Sequence, residues 1–195
     1  MWDKLPTSWD DGAFIGNGVV GAIAYGDQHS PLRLVVNRTD LYDRRTRLPV
    51  GAFAWVPGSA VRGGSARVSL WDAELLTTIA TKDEAQELRA YTHAVLPLIV
   101  VDVTRGMTDV TTRGRWDWQP DVCAPPRALF KKEGYEPYPP AERLPLDGGG
   151  LHVQPLKDGG AFAVGWTQAM SCLEIHRKRP GRFCGGWRSS VPSLP

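Results

Sequence analysis

Glycine and proline cut the chain between Val19 and Gln168 into short apolar runs, and that punctuation suits strands rather than long helices. Ser65 to Leu70 shows the pattern most plainly. Ala66, Val68 and Leu70 alternate with Arg67 and Ser69, the period of two expected of a half-buried strand. Leu75 to Thr81 and Glu87 to His93 flank Lys82-Asp83-Glu84-Ala85 and predict a hairpin. Val19 to Tyr25, Leu32 to Asn37, Gly51 to Val56 and Val110 to Trp118 add further candidate strands. Leu98 to Val103 within the Pro97–Thr104 run is apolar on both faces, which predicts a central strand. At least eight short strands without a long helix predict an all-β fold, a large antiparallel β-sandwich.

Seven prolines between Gln119 and Asp147 predict a long irregular excursion. Leu151 to Pro155 and Ala161 to Gln168 then return to strand around a turn at Asp158-Gly159-Gly160. After Gln168 the alternation stops. The reading is a β-sandwich domain over residues 1–169 and an irregular basic tail over 170–195, its Arg, Gly, Ser, Cys and Pro content resembling GC-rich DNA translated in a shifted frame.

A length of 195 residues fits one domain, and 42% hydrophobic residues suffice for a core. The formal net charge of +2 calls for no nucleic-acid or membrane partner. From Met170 onward, Arg177, Lys178, Arg179, Arg182 and Arg188 face a single acid, Glu174. Such a run suits an acidic partner or a plain solvated surface. Cys123, Cys172 and Cys184 form neither a CxxC nor a metal spacing, and Cys172–Cys184 pairing is left open. Met1 to Pro6 lacks the apolar run of a signal peptide, and no segment approaches the ~18 apolar residues of a membrane span.

Two motifs point to a family. The first is Ala13-Phe14-Ile15-Gly16-Asn17-Gly18 with Gly21-Ala22-Ile23-Ala24-Tyr25-Gly26, and the second is the corner Asn37-Arg38-Thr39-Asp40-Leu41-Tyr42. Trp9 through Asp43 resembles the opening of the N-terminal domain of glycoside hydrolase family 95, the α-L-fucosidase type. Leu70-Trp71-Asp72-Ala73-Glu74, Arg89 to Val101 and Ala161 to Trp166 resemble that domain's later strands in type and order. Val19-Val20 and Tyr42-Asp43-Arg44-Arg45 depart from the family pattern, so the resemblance is to a divergent branch. It implies a supersandwich-like β-domain preceding a helical (α/α)6 barrel, with the inverting acid and base carboxylates in the barrel. No catalytic residue is carried over to this chain. The implied partners are carbohydrate and the helical catalytic domain, and the implied parent family is often exported.

Gly16-Asn17-Gly18 suits either a ligand-facing loop or a tight turn needing positive φ. It fits G-x-G-x-x-G by letter, but no βαβ unit surrounds it, so no nucleotide is expected. Trp116 and Trp118 share one strand face and suit either sugar stacking or the core. Asn17, Trp116 and Trp118 are thus the candidate carbohydrate contacts. Asp10–Asp11, Asp40–Asp43 and Asp72–Glu74 are carboxylate pairs; Asp72 and Glu74 on one strand face would stand about 7 Å apart, within the inverting range. His29, His93, His152 and His176 are too scattered for a metal site, and no cofactor is expected. The expected function is a non-catalytic N-terminal domain of a carbohydrate-active hydrolase resembling α-L-fucosidases, present as a truncated or frameshifted product. A stand-alone carbohydrate-binding module and a small hydrolase using Asp72 and Glu74 are the alternatives.

Overall fold

In a computed structural model, the described residues are 3–43, 46–105, 114–120, 138–156 and 159–167. They form twelve strands in three antiparallel sheets and no α-helix. The fold is all-β, as the sequence predicts. The chain divides into two compact units, residues 1–140 with 155–162 and residues 141–154 with 163–195.

The first unit holds two sheets. One contains β1 (Ala13–Gly16), β2 (Val20–Tyr25), β3 (Leu32–Asp43), β4 (Thr46–Val56) and β9 (Arg115–Gln119), in the order β1-β2-β3-β4-β9. The other contains β5 (Val61–Ser69), β6 (Glu74–Thr81), β7 (Ala85–Thr92) and β8 (Ile99–Arg105), in sequence order. Ala13, Ile15, Ala22, Ala24, Leu32, Leu34 and Trp55 from the first sheet share one core with Ala66, Leu75, Ile79, Leu88 and Ala90 from the second. That shared core makes the pair a β-sandwich. Alternation generates it: Leu75, Thr77, Ile79 and Thr81 are buried on β6, while Leu76 between them is exposed. Each fully buried Leu or Ile contributes about 1.5–3 kcal/mol through the apolar surface removed from water.

Three features differ from the sequence reading. Strand β8 lies at an edge of its sheet rather than the centre. Ile99, Val101 and Val103 pack on the core, and Val100 takes the other face beside Tyr91; an apolar residue on a partly covered outer face mimics a central strand. The Pro-rich excursion contains β10 (Glu142–Leu146), which pairs with β11 (Gly149–Pro155) across the Asp147-Gly148 turn. There Pro145 sits on an edge strand, where a missing N–H is tolerated. The Asn37–Tyr42 corner is a bulge inside the twelve-residue β3: Asn37 faces Pro49 and Tyr42 faces Arg47, so β3 carries extra residues between them.

Strands β10, β11 and β12 (Ala161–Thr167) form the third sheet. His152 on β11 is fully buried. Most of the excursion, all three cysteines and the 170–195 tail lie outside the described residues.

An aromatic group closes one end of the five-stranded sheet's inner face. Phe53 meets Trp118 at 4.7 Å between ring centroids, and Trp55 meets Trp116 at 5.2 Å. Gly51, on the same face, has φ of +151°, and a Cβ there would lie 2.1 Å from the Trp118 ring. Gly51→Ala is therefore expected to destabilise the protein by about 3 kcal/mol, from overpacking and an unfavourable φ. Urea unfolding checks this; a loss below about 0.5 kcal/mol, the range of an ordinary surface substitution, contradicts the packing described.

Candidate functional site

Asn17 sits in the turn between β1 and β2, with Gly18 after it at φ +88°. Its side chain is fully engaged with main chain. Oδ1 accepts from the Val19 and Val20 amides, both at 2.9 Å, and Nδ2 donates to the His93 and Leu96 carbonyls at 2.7 and 3.0 Å. The Asn17 amide donates to Val20 O at 3.1 Å. His93 and Leu96 belong to the loop joining β7 to β8, so this side chain ties the two sheets of the sandwich together. The loop has its own brace: His93 Nδ1 accepts from the Val95 and Leu96 amides at 3.2 and 3.0 Å.

The two family-like motifs meet at this point. The Thr39 amide donates to Val19 O at 2.9 Å, and Thr39 Oγ1 donates to Gly18 O at 3.0 Å. Arg38 and Asp40 form a two-point ion pair on the same bulge, and Arg38 holds the exposed Asp40 carboxyl below its usual range. The Gly-Asn-Gly turn thus spends its backbone freedom and its amide on joining segments. All four hydrogen-bonding positions of the Asn17 amide are taken by protein.

Trp116 and Trp118 lie on the inner face of β9, opposite Trp55 and Phe53. Trp118 is 7% exposed, and Trp116 packs against the core. Of the two arrangements the sequence leaves open for these rings, the core arrangement is the one in the structure.

The carboxylate pairs are not set up as opposed acid and base. Asp72 lies in the β5–β6 turn rather than on a strand, and its Oδ2 accepts from Ser69 Oγ at 2.7 Å. Glu74 opens β6 and binds Arg89, whose Nε donates to Glu74 Oε2 at 2.7 Å. Arg89's hydrogen bonds outweigh desolvation and hold Glu74 below the ordinary carboxylate range, so at neutral pH it has no proton to give. An inverting acid needs the reverse shift. Ser8 Oγ donates to Asp11 Oδ2 at 3.3 Å. The Asp43 side chain lies outside the described residues. Among the described residues no three His, Cys, Asp or Glu gather as a metal site.

Asp27 and Arg33 form another built polar group, between β2 and β3. Asp27 Oδ1 accepts from the His29 and Ser30 amides at 2.8 and 2.9 Å, Asp27 pairs with Arg33, and Arg33 Nη2 donates to Gln119 Oε1 at 2.8 Å. This chain of contacts pins β9 to β3 across the intervening β4. Burial pushes the Asp27 carboxyl up, but the two amides and Arg33 prevail and hold it low.

In the β5–β6 turn the sequence pointed to Asp72 as half of a carboxylate pair but not to Leu70 and Trp71 at the tip. Leu70 and Trp71 are 91% and 96% exposed there. Ala73 in the same turn has φ of +54°, the one non-glycine residue at positive φ among those described. Behind the turn, the outward residues of β5–β8 pair in rows. Ser69, Glu74, Tyr91 and Val100 form the first; Arg67, Leu76, Arg89 and Asp102 form the second. Arg89 lies over the Tyr91 ring, 4.8 Å from its centroid. The available signal was the hairpin itself: an apolar pair at a hairpin tip has no core to enter.

No family model, curated protein or solved structure matches the chain.

Asn17→Ala is expected to cost about 2 kcal/mol, the scale of losing several partly buried hydrogen bonds. It should also abolish amide-exchange protection at Val19 and Val20. Asn17→Asp keeps the acceptors, so protection at Val19 and Val20 should survive while residues 93–98 loosen. Equal behaviour of the two variants in hydrogen exchange contradicts the assigned contacts. Acid unfolding gives a second check. A folded-state pKa below the unfolded value of about 3.9 means that Asp27's contribution is complete above roughly pH 5. It is lost as pH falls through the folded value. Asp27→Asn should lower stability at pH 7 and flatten the acid limb; an unchanged limb contradicts the pairing.

Proposed function

We propose that the chain is a non-catalytic carbohydrate-recognising β-sandwich domain of the glycoside hydrolase family 95 type, serving beside a helical catalytic domain. What supports this reading most is where the family-like residues lie. The segment from Trp9 to Asp43 supplies the first three strands of a two-sheet sandwich, the architecture that the resemblance implies, and its two motifs are bonded to each other through Thr39. Glu74 agrees with the non-catalytic part: it is ionised and committed to Arg89 rather than poised as an acid. Asn17, Trp116 and Trp118 act in this reading as framework, not as contacts to sugar.

Affinity electrophoresis of the purified chain through gels containing fucosylated xyloglucan tests the recognition, and release of nitrophenol from an aryl α-L-fucoside tests the chemistry. Retardation without turnover is the expected result. Turnover lost on Glu74→Gln would overturn the non-catalytic assignment, and migration unaffected by polysaccharide would overturn carbohydrate recognition.

A further inference from the structure

We propose that the outer face of the β5–β8 sheet, from the Trp71 turn across Tyr91 and Arg89 to Asp102, is a glycan-binding surface. It takes the apolar face of a pyranose on the Trp71 ring and vicinal hydroxyls on the polar rows behind. The proposal rests on the reading that the domain recognises carbohydrate, and it places that recognition on residues outside the Asn17, Trp116 and Trp118 set.

Four observations carry it. Trp71 is 96% exposed, so its ring is free to stack; leaving so large an apolar surface in water is informative, whereas a scattered leucine is not. The turn that presents it is held by Ser69 Oγ donating to Asp72 Oδ2 at 2.7 Å and carries Ala73 at φ +54°. A left-handed alanine costs free energy that the surroundings must supply, and such strain gathers at binding sites. Arg89 is only partly used: Nε and Nη2 go to Glu74, while Nη1 stands 3.9 Å from Asp102 Oδ2, beyond hydrogen-bonding range. A sugar hydroxyl bridges that gap by accepting from Nη1 and donating to Asp102. Finally, the two rows, polar apart from Val100 and Leu76, lie about 7 Å apart along the strands, so the face offers successive contacts to a chain rather than a single pocket.

The occupant follows from this mixture. A lipid or an apolar protein segment docking on Trp71 and Leu70 would leave Glu74, Arg89 and Asp102 as desolvated ions beside it, at a cost. A glycan supplies hydroxyls to those groups and C–H bonds to the ring.

Fluorescence titration and affinity electrophoresis with fucosylated xyloglucan and cellohexaose, on wild type, Trp71→Ala, Trp71→Leu, Trp71→Tyr and Asp102→Asn, test it. Because Trp71 is solvent-exposed, its variants are expected to keep the wild-type thermal transition. Trp71→Ala and Trp71→Leu should weaken binding by about tenfold, Trp71→Tyr should restore most of it, and Asp102→Asn should weaken it several-fold. Wild-type affinity in Trp71→Ala overturns the site while leaving carbohydrate recognition standing. Wild-type affinity in Trp71→Leu shows a merely apolar contact and overturns stacking. Failure of the wild type to bind either glycan, or retention on phosphatidylcholine vesicles instead, overturns both this site and the reading it rests on.

Discussion

One asparagine amide holds the two sheets of the sandwich in register. Nδ2 of Asn17 reaches the His93 and Leu96 carbonyls, 76 and 79 residues away in sequence, while Oδ1 gathers the two amides of its own turn. Hydrophobic burial drives the sheets together without choosing their alignment. Directional bonds at one end do choose it. Glycine at position 18, at φ +88°, lets the turn fold back far enough for Val19 and Val20 to face Asn17, and Thr39 adds the β3 bulge to the same junction. Losing Asn17 would remove a direct partner from the His93 and Leu96 carbonyls and from the Val19 and Val20 amides at one junction, which is why a single polar side chain there matters more than its size suggests.

This division of labour sets what remains for function. The aromatic rings at the β4–β9 end are committed inward, Phe53 on Trp118 and Trp55 on Trp116, with Gly51 vacating the space that Trp118 fills. Trp71 is a ring held almost wholly outside the core, displayed on a turn with a left-handed alanine next to the Ser69–Glu74 pair of the outer face. On the proposed reading, framework and recognition occupy different faces, so a substitution at one need not disturb the other.

The hairpin β6–β7 was legible because its side chains alternate cleanly and burial follows that alternation. Of the Ser65–Leu70 strand, Ala66 and Val68 turn to the core as read, but Leu70 lies past the end of β5 in the turn and is 91% exposed, since alternation does not mark where a strand stops. The position of β8 was not. Its apolar residues occur on both faces, and one sequence cannot say whether the second face meets a neighbouring strand or stands beside Tyr91 at an edge. Strand β10 was hidden by Pro145, since proline reads as loop unless its missing donor faces an edge. The site was the least legible. The same residue types that suggest sugar stacking, Trp116 and Trp118, also build cores, and only the pairing with Phe53 and Trp55 decides between the two. Trp71 carries no periodic mark, because a turn has no face.

The most direct measurement of the account is a two-dimensional NMR titration of the isotopically labelled chain with cellohexaose or fucosylated xyloglucan oligosaccharide, following the tryptophan indole and arginine Nε resonances. Saturable shifts are expected at Trp71 and Arg89 and at the amides of Tyr91 and Asp102, with the Asn17 side-chain amide and the Trp116 and Trp118 indoles unmoved. Shifts centred on Trp116, Trp118 or Asn17, or none at all at saturating glycan, would contradict it.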